Sequence, residues 1–518
     1  MISSNPLFIC KFHSPYSILR SQLYHKRMAF LSDKNIINTL YKPLTLTGFF
    51  LLLFYIFLCN LHLNPPSLKY NLAELRRPGA PPPLYDDENI TSDSHPTNIS
   101  HIVIAIASSF NSFKFRKPYI ESWWRPNVTR GYLFLDRHPS GFLPWAPTSP
   151  PYRISEDTSR YNPYDRHPMR DAIRMLRVFF EAFREAREGV RWYVMTDDDT
   201  ILFLDNLLDV LSKYDHTKYF YIGENSETVQ SNFDHSFEMA FGGGGYAVSY
   251  PLAEALAKNL DVCIKRYPSL YGSDHMMQSC VADLGVSLTH EKGFHQIDLR
   301  KDISGFLASL AQSPLVSLHH IDAVNPLFPS MSRTESLNHL MKAARLDQSR
   351  LLQQTICYES SRNWSFSIAW GYSAQVYESI IPPSVLVKPL ETFSPWRKGP
   401  KQAFMFNTRW LSNNPCEMPH DFYLESVDKI AQTDEIITSY SRRSPRRMPP
   451  CSSSTSSNHT SSDLVGDIQK IIVLSPPTSY SAAGGSRREC CDILDQVEKN
   501  VTMIKYRACM KDEITGVE

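Results

Sequence analysis

The chain has 518 residues, enough for two or three domains of ordinary size. Its 42% hydrophobic content suffices for a sizeable core, and 36 prolines against 20 glycines fit a folded centre with Pro-rich connectors. A formal net charge of +1 excludes nucleic-acid binding driven by bulk charge.

Residues 1–42 carry Lys11, Arg20, Lys26, Arg27, Lys34 and Lys42 against Asp33 alone, and read as a basic cytosolic tail. Residues 43–63 are the most apolar stretch, near the roughly 20 residues that span a bilayer. The charge asymmetry predicts a single signal anchor with the bulk of the chain luminal. A cleaved signal peptide is the competing reading, but the basic region is far too long for one and no clear cleavage site follows. Six glycosylation sequons, at Asn89, Asn98, Asn127, Asn363, Asn458 and Asn500, all follow the apolar segment. So do eight of the ten cysteines, in a compartment where disulfides form. Cys263 and Cys280, close in sequence, are the first candidate pair.

Residues 64–98, with Pro65, Pro66, Pro78 and Pro81 to Pro83, read as an extended stem. A catalytic domain is expected over 99–330. It opens with a buried strand, His101 to Ser109, ending in small polar residues; Ser108 is a candidate cofactor-binding residue. A helix through Tyr119, Ile120, Trp123 and Trp124 and a strand from Gly131 to Asp136 follow, a unit that favours a parallel sheet. Pro139 to Tyr164 reads as a loop over the site. Met169, Ala172, Leu176, Phe179 and Phe183 mark an amphipathic helix with Arg170, Arg174, Arg177 and Glu181 on its other faces.

Trp192 to Met195 then forms a short buried strand leading to Asp197-Asp198-Asp199. Unpaired carboxylates cost several kcal/mol or more each to bury, so the triplet belongs at the strand end. Clustered carboxylate oxygens suit Mg²⁺ or Mn²⁺, which can in turn hold a diphosphate. A solvated acidic turn is the plainer alternative. A helix through Leu204, Leu207 and Leu211 and a strand at Tyr219–Ile222 come next. Gly242 to Gly245 is a run of four glycines, either a wall close to a sugar or phosphate, or a strained turn. It is neither a Walker nor a dinucleotide loop. A helix runs from Pro251 to about Leu260. Asp274 opens another, capped by Gly285, where a carboxylate is also common for helix-dipole reasons alone. His319 and His320 sit at a strand end, as metal ligands or as structural residues.

Residues 331–440 read as a β-rich extension, with a helix at Ser336–Leu352 and strands over Cys357–Ile380 and Gln402–Arg409. Residues 441–465 form a low-complexity linker. The Cys-containing segment 466–518 alternates again and is expected to pair with the extension.

The order of these motifs resembles the Fringe-like inverting β-1,3-glycosyltransferases, especially their plant branch. The family's strand leading to an acidic triplet resembles Trp192 to Asp199. Its Gly-Gly-Ala-Gly-aromatic element resembles Gly242 to Ser249, with Gly244 in place of Ala. An acidic element opening a helix resembles Ser273-Asp274, and a Ser-Leu-His element resembles Ser317 to His319. The resemblance implies a GT-A-type α/β domain, a UDP-sugar donor and Mn²⁺. It implies that Asp197 faces the nucleotide sugar together with Gly243, Gly244 and Gly245, that Asp198 and Asp199 hold the metal, and that His319 completes the shell, with His320 its rival. Arg116 matches a nucleotide contact and Asp274 the catalytic base. Many relatives carry two acids at the base, whereas Ser273 precedes Asp274 here. The expected function is a Golgi type II glycosyltransferase acting on a glycan or glycoprotein; the alternatives are a non-catalytic luminal carbohydrate-binding protein of the same fold, or an unrelated luminal hydrolase.

Overall fold

The structure, a computed structural model, describes residue 54 and residues 95–161, 171–310, 313–397, 403–443, 451, 465–477, 487–498 and 500–516. The basic tail, most of the stem and, apart from Phe54, the expected anchor lie outside these. Among the described residues no helix is long and apolar enough to cross a membrane. Contacts divide the chain between Asp93 and Ser94, and Ser94–Glu518 forms one unit.

Ile102–Ala107 (β1) is an unbroken apolar run with every residue buried, as expected of a strand covered on both faces. Ser109 ends it and caps Phe110–Trp123 (α1) in a reciprocal exchange with Ser112. Arg130–Leu135 (β2) returns parallel to β1. Tyr152–Ile154 (β3) adds a parallel edge strand inside the stretch expected to be loop; three residues among prolines are too short a run to show alternation. Ala172–Glu185 (α2) leads to Trp192–Asp197 (β4), parallel to β1. There follow Ile201–Leu202 (β5), Leu204–Leu211 (α3), Tyr221–Gly223 (β6), Tyr246–Ser249 (β7), Tyr250–Arg266 (α4) and Ser273–Ala282 (α5). Leu288–His290 (β8), Leu299–Lys301 (β9) and Ser317–Leu318 (β10) complete this half.

The main sheet has seven strands in the order β3-β2-β1-β4-β7-β6-β8. Only β7 runs against the others. The carboxyl ends of β1, β4, β6 and β8 therefore share one edge, where loops can gather functional groups without burying polar backbone. Cys263 of α4 and Cys280 of α5 are joined, as their proximity suggested.

Helix α2 is more enclosed than its sequence predicts. Arg177 and Glu181, expected on outward faces, are both buried. The helix packs against β1 and β4 on one side and α4 and α5 on another, so two faces are covered. The two terminal nitrogens of Arg177 pair with Glu156, 2.6 Å away, and with Asp261. For Glu181 burial raises the pKa to about 7, opposed first by the Glu156 backbone N–H that it accepts and then by Arg177 and Arg184. The folded state thus holds a proton that the unfolded chain has released above about pH 4.5. Its contribution to stability is full below that pH and is lost as pH rises through about 7. Glu181→Gln should therefore flatten the fall in stability between these limits, in melting curves run beside the parent; equal pH slopes would contradict the assignment.

The second half opens with Arg333–Leu346 (α6), capped by a Ser332–Glu335 exchange. The expected helix to Leu352 stops at Leu346 because Asp347 turns extended and its carboxylate binds Arg350. Gln354–Glu359 (β11), Trp364–Ala369 (β12), Ser373–Tyr377 (β13), Phe393–Pro395 (β14), His420–Lys429 (β15), Ile436–Arg442 (β16), Lys470–Ser475 (β17), Cys490–Glu498 (β18) and Val501–Arg507 (β19) follow. Eight of these form one sheet, β11-β12-β13-β15-β16-β17-β19-β18. The C-terminal segment does return to pair with the extension, through β17 to β19. The described part of Gln402–Arg409 is not a strand; it makes isolated bridges from Phe404 to Thr228 and from Arg409 to Leu390. Most of 441–465 lies outside the described residues, but Cys451 within it is buried and joined to Cys416.

The two outer strands of that sheet are linked by Cys357–Cys491, across 134 residues of chain. The sheet thus curls until its two outer strands lie against each other. Replacing both cysteines by serine should cost about 2–5 kcal/mol, because the closed loop is long. Thermal melts measure this, and an unchanged midpoint would contradict it. Strand β14 pairs with β9 of the first half, and one apolar core runs through both.

Candidate active site at the carboxyl edge of the main sheet

Asp197 is the last residue of β4, and the chain turns at Asp198 and Asp199. Thr200 fixes this turn: its hydroxyl receives the Asp197 N–H at 3.1 Å and donates to the Gly243 carbonyl at 2.7 Å. Trp123 is buried and donates to the Thr200 carbonyl, a packing role.

The three carboxylates diverge. Asp199 is fully buried and its Oδ1 lies 3.0 Å from His319 Nε2. Its Oδ2 is 2.9 Å from Arg116 Nη2 but receives no hydrogen bond. Asp197 is 26% exposed, with Oδ2 3.9 Å from His319 Nε2. One atom from each of Asp197, Asp199 and His319 fits within a 4.8 Å span. Asp198 turns away from this trio. Its Oδ2 accepts from Ser108 at 2.7 Å and Ser112 at 2.5 Å, and its Oδ1 from Arg116 at 2.8 Å. Ser108 is thus spent on Asp198, and Ser112 and Arg116, one α1 turn apart, grip the same carboxylate.

Burial raises the Asp197 pKa to about 7; His319 lowers it, while Asp199 and Asp274 add to the rise. Burial opposes ionisation of Asp199 as well, but His319 and Arg116 outweigh it and hold that carboxyl low. For His319 burial is outweighed by Asp199 and Asp197, and the ring is pushed up to about 9. His320, the rival, packs its ring 3.8 Å from that of His319. It adopts a left-handed backbone at φ +54 and stacks on Trp396 at 4.2 Å. Burial and its charged neighbour His319 bring it down to about 3.

The glycine run makes room for these side chains. A Cβ on Gly243 would lie 2.1 Å from the His319 ring, and one on Gly242 would lie 2.4 Å from Asp274 Oδ1. Gly245 takes φ +88, which a side chain would strain. The Gly244 N–H donates to Gln296 Oε1 at 2.7 Å, and its carbonyl accepts from Ser317. The close approach expected at Gly243, Gly244 and Gly245 is thus to His319 and to the Gln296 segment of the protein itself. Asp274 stands apart from the trio at the start of α5. It accepts the Gly242 N–H at 2.9 Å and the Ser273 hydroxyl at 3.1 Å, and burial raises its pKa.

Sequence reasoning missed Ser112, Thr200, Gln296 and Asp322. Asp322 balances Arg116 at 3.0 Å, and its place three residues after His319 was a usable signal. Ser112, four residues before Arg116, was another. Gln296 carried none. A second apparent ligand group, Cys490, Cys509 and Glu513, has no free thiol, since the cysteines are joined to each other.

Carboxylates and an imidazole gathered at the carboxyl edge of a mostly parallel sheet define an α/β domain with a candidate divalent-cation site. A family model described as "Fringe-like" matches residues 97–325, and one described as "Protein of unknown function, DUF604" matches residues 231–491, half of the chain. The chain belongs to the Fringe-like β-1,3-glycosyltransferase superfamily. A β-1,3-glucosyltransferase of Mus musculus is 32% identical over 141 residues, 26% of this chain and 27% of the relative. A β-1,3-glucosyltransferase of Homo sapiens is 29% identical over 120 residues, 23% of each. The chain thus spans about a quarter of these curated relatives. The apo crystal structure of mouse xyloside xylosyltransferase 1 aligns with a TM-score of 0.25 at 7% identity, covering 39% of this chain and 87% of that one, a likeness too slight to bear on fold or function.

Proposed function

We propose that the chain is a metal-dependent inverting glycosyltransferase, of GT-A type, that moves a hexose or N-acetylhexosamine from a UDP-sugar to a glycan or glycoprotein hydroxyl. The observation that carries this reading is the division of labour at the sheet edge. Asp197, Asp199 and His319 converge within 4.8 Å, while Asp274 is held separately behind Gly242. Two carboxylates and one imidazole are a donor set that suits Mn²⁺ or Mg²⁺. The buried Asp199 Oδ2 receives no hydrogen bond, though it is ion-paired with Arg116 at 2.9 Å, and it retains a lone pair for such an ion. When bound, the ion neutralises charge growing on the departing diphosphate.

The chain's own residues supply the rest. Asp274 accepts the proton of the acceptor hydroxyl as that oxygen bonds to the anomeric carbon. The bond from that carbon to the phosphate oxygen breaks, and its electron pair leaves with UDP. A single displacement inverts the centre, so an α-linked donor gives a β-linked product. The Arg116 guanidinium, braced by Asp198 and Asp322, lies 2.9 Å from Asp199 and suits a phosphate oxygen.

A type II anchor at 43–63 and a luminal, Golgi address complete the proposal. All eight cysteines after Cys59 are joined in four disulfides, which suits an oxidising compartment. The sequon residues Asn98, Asn127, Asn363 and Asn500 are all exposed. The test is UDP release by the full-length chain across a panel of UDP-sugars, with Mn²⁺ or chelator. Metal-dependent release from one donor is expected. Folded protein that neither releases nor binds UDP would overturn the enzyme reading in favour of a carbohydrate-binding protein.

A further inference from the structure

A cavity of about 760 Å³ opens beside the candidate active site and belongs to neither the carboxylate trio nor Asp274. Its size falls in the range of small-molecule sites. One wall comes from the loops leaving β6 and β8, with Glu224, Glu227, His290 and Lys292; the other comes from the C-terminal extension, with Lys388 and Asn407. Phe294, Phe306 and Phe406 supply an apolar lining.

Two features place the cavity in register with the chemistry. It lies off the carboxyl ends of β6 and β8, the sheet edge that also carries Asp197. In addition, the Glu224 carbonyl accepts the Phe241 N–H at 3.1 Å, and the next residue, Gly242, donates its N–H to Asp274. Two hydrogen bonds and one peptide step therefore join the cavity's rim to the proposed base.

The lining chemistry selects a ligand. Glu224 is bonded to His290 at 2.8 Å, and Glu227 lies 3.4 Å from His295. Lys292, Lys388 and Arg488 stand against these two acids, and Arg488 is already bonded to Gln354 Oε1 at 2.6 Å, so the lining is mixed in charge and a polycation finds no complementary field. Carboxylate, amide and ammonium groups beside aromatic rings suit hydroxyls along the edge of a sugar and C–H groups on its face.

We propose that this cavity is a subsite for the distal part of the acceptor, a neutral oligosaccharide whose terminal hydroxyl reaches Asp274. The C-terminal extension then sets acceptor choice by closing a wall that the first half alone would leave open. The proposal rests on the transferase reading for its direction, and on the cavity alone for its ligand.

The probe is a panel of neutral oligosaccharides with their component monosaccharides, bound to the full-length chain without donor. Glu224→Gln tests the hydrogen-bonding wall, and Asn407→Trp fills the space from the extension. Neither residue belongs to the proposed catalytic machinery. The parent should bind a subset of oligosaccharides more tightly than their monosaccharides. Glu224→Gln should lose about tenfold in affinity, as expected for a hydrogen bond to a charged group, and Asn407→Trp at least about as much by occupying the space. Asp274→Asn should keep that binding, and the variants should keep parental rates of UDP release to water. Equal binding by parent and both variants would overturn the subsite. So would a parent that releases UDP from a donor yet binds no oligosaccharide, which would leave the transferase reading standing. Variant-sensitive oligosaccharide binding with no UDP release from any donor would keep the cavity and remove the transferase.

Discussion

Gly243→Ala is expected to abolish the proposed metal site while adding only one methyl group. The new Cβ would sit 2.1 Å from His319 Cε1, and the ring cannot retreat because it is buried and tied to Asp199 on one side and the Gln296 carbonyl on the other. Overpacking of this kind costs about 1–3 kcal/mol in stability. The larger loss falls on function, since a ligand displaced by about 1 Å can lower activity roughly a hundredfold. Gly466→Ala is the control, because a Cβ there meets no atom within 4 Å. Melting curves and Mn²⁺ titrations on both variants check the expectation, and parental Mn²⁺ affinity in Gly243→Ala would contradict it.

Asp274→Asn is the second large effect. Asn keeps the shape and can still accept the Gly242 N–H, but it cannot take a proton. Transfer should fall by about 10²–10⁴, the usual contribution of a general base. Binding of UDP with Mn²⁺ should stay within about twofold of the parent, because Asp274 is absent from the converging trio. Burial raises the Asp274 pKa above the usual carboxylate range, so transfer should decline toward acid as this carboxylate gains a proton. The pH profile of transfer by the parent measures that decline. Full transfer by Asp274→Asn would return the base to another group.

The first half of the fold was legible because its signals are local. Ile102–Ala107 and Trp192–Asp197 are continuous apolar runs, and a carboxylate triplet after such a run can only sit where the strand leaves the core. The reversed direction of β7 was not legible, because no local pattern encodes the sense of a strand buried on both faces. The direction of each carboxylate was equally hidden. Asp198 and Asp199 are neighbours in sequence, yet one is bound by Ser108 and Ser112 and the other faces His319. Alternation predicted that the second half would be β-rich, but its eight-strand order joins residues more than a hundred positions apart, as in Cys357–Cys491. Arg177 and Glu181 misled for the opposite reason: charge suggested water, whereas packing on two sides of α2 enclosed them.

The account stands on the trio of Asp197, Asp199 and His319, and Mn²⁺ binding in the presence of UDP tests it most directly. Loss of the free-ion paramagnetic resonance signal would be followed for the parent, Asp199→Asn and Glu224→Gln. The parent and Glu224→Gln should bind one ion with similar affinity, and Asp199→Asn should lose at least about tenfold. Parental Mn²⁺ affinity in a folded Asp199→Asn protein would contradict the assignment of this site.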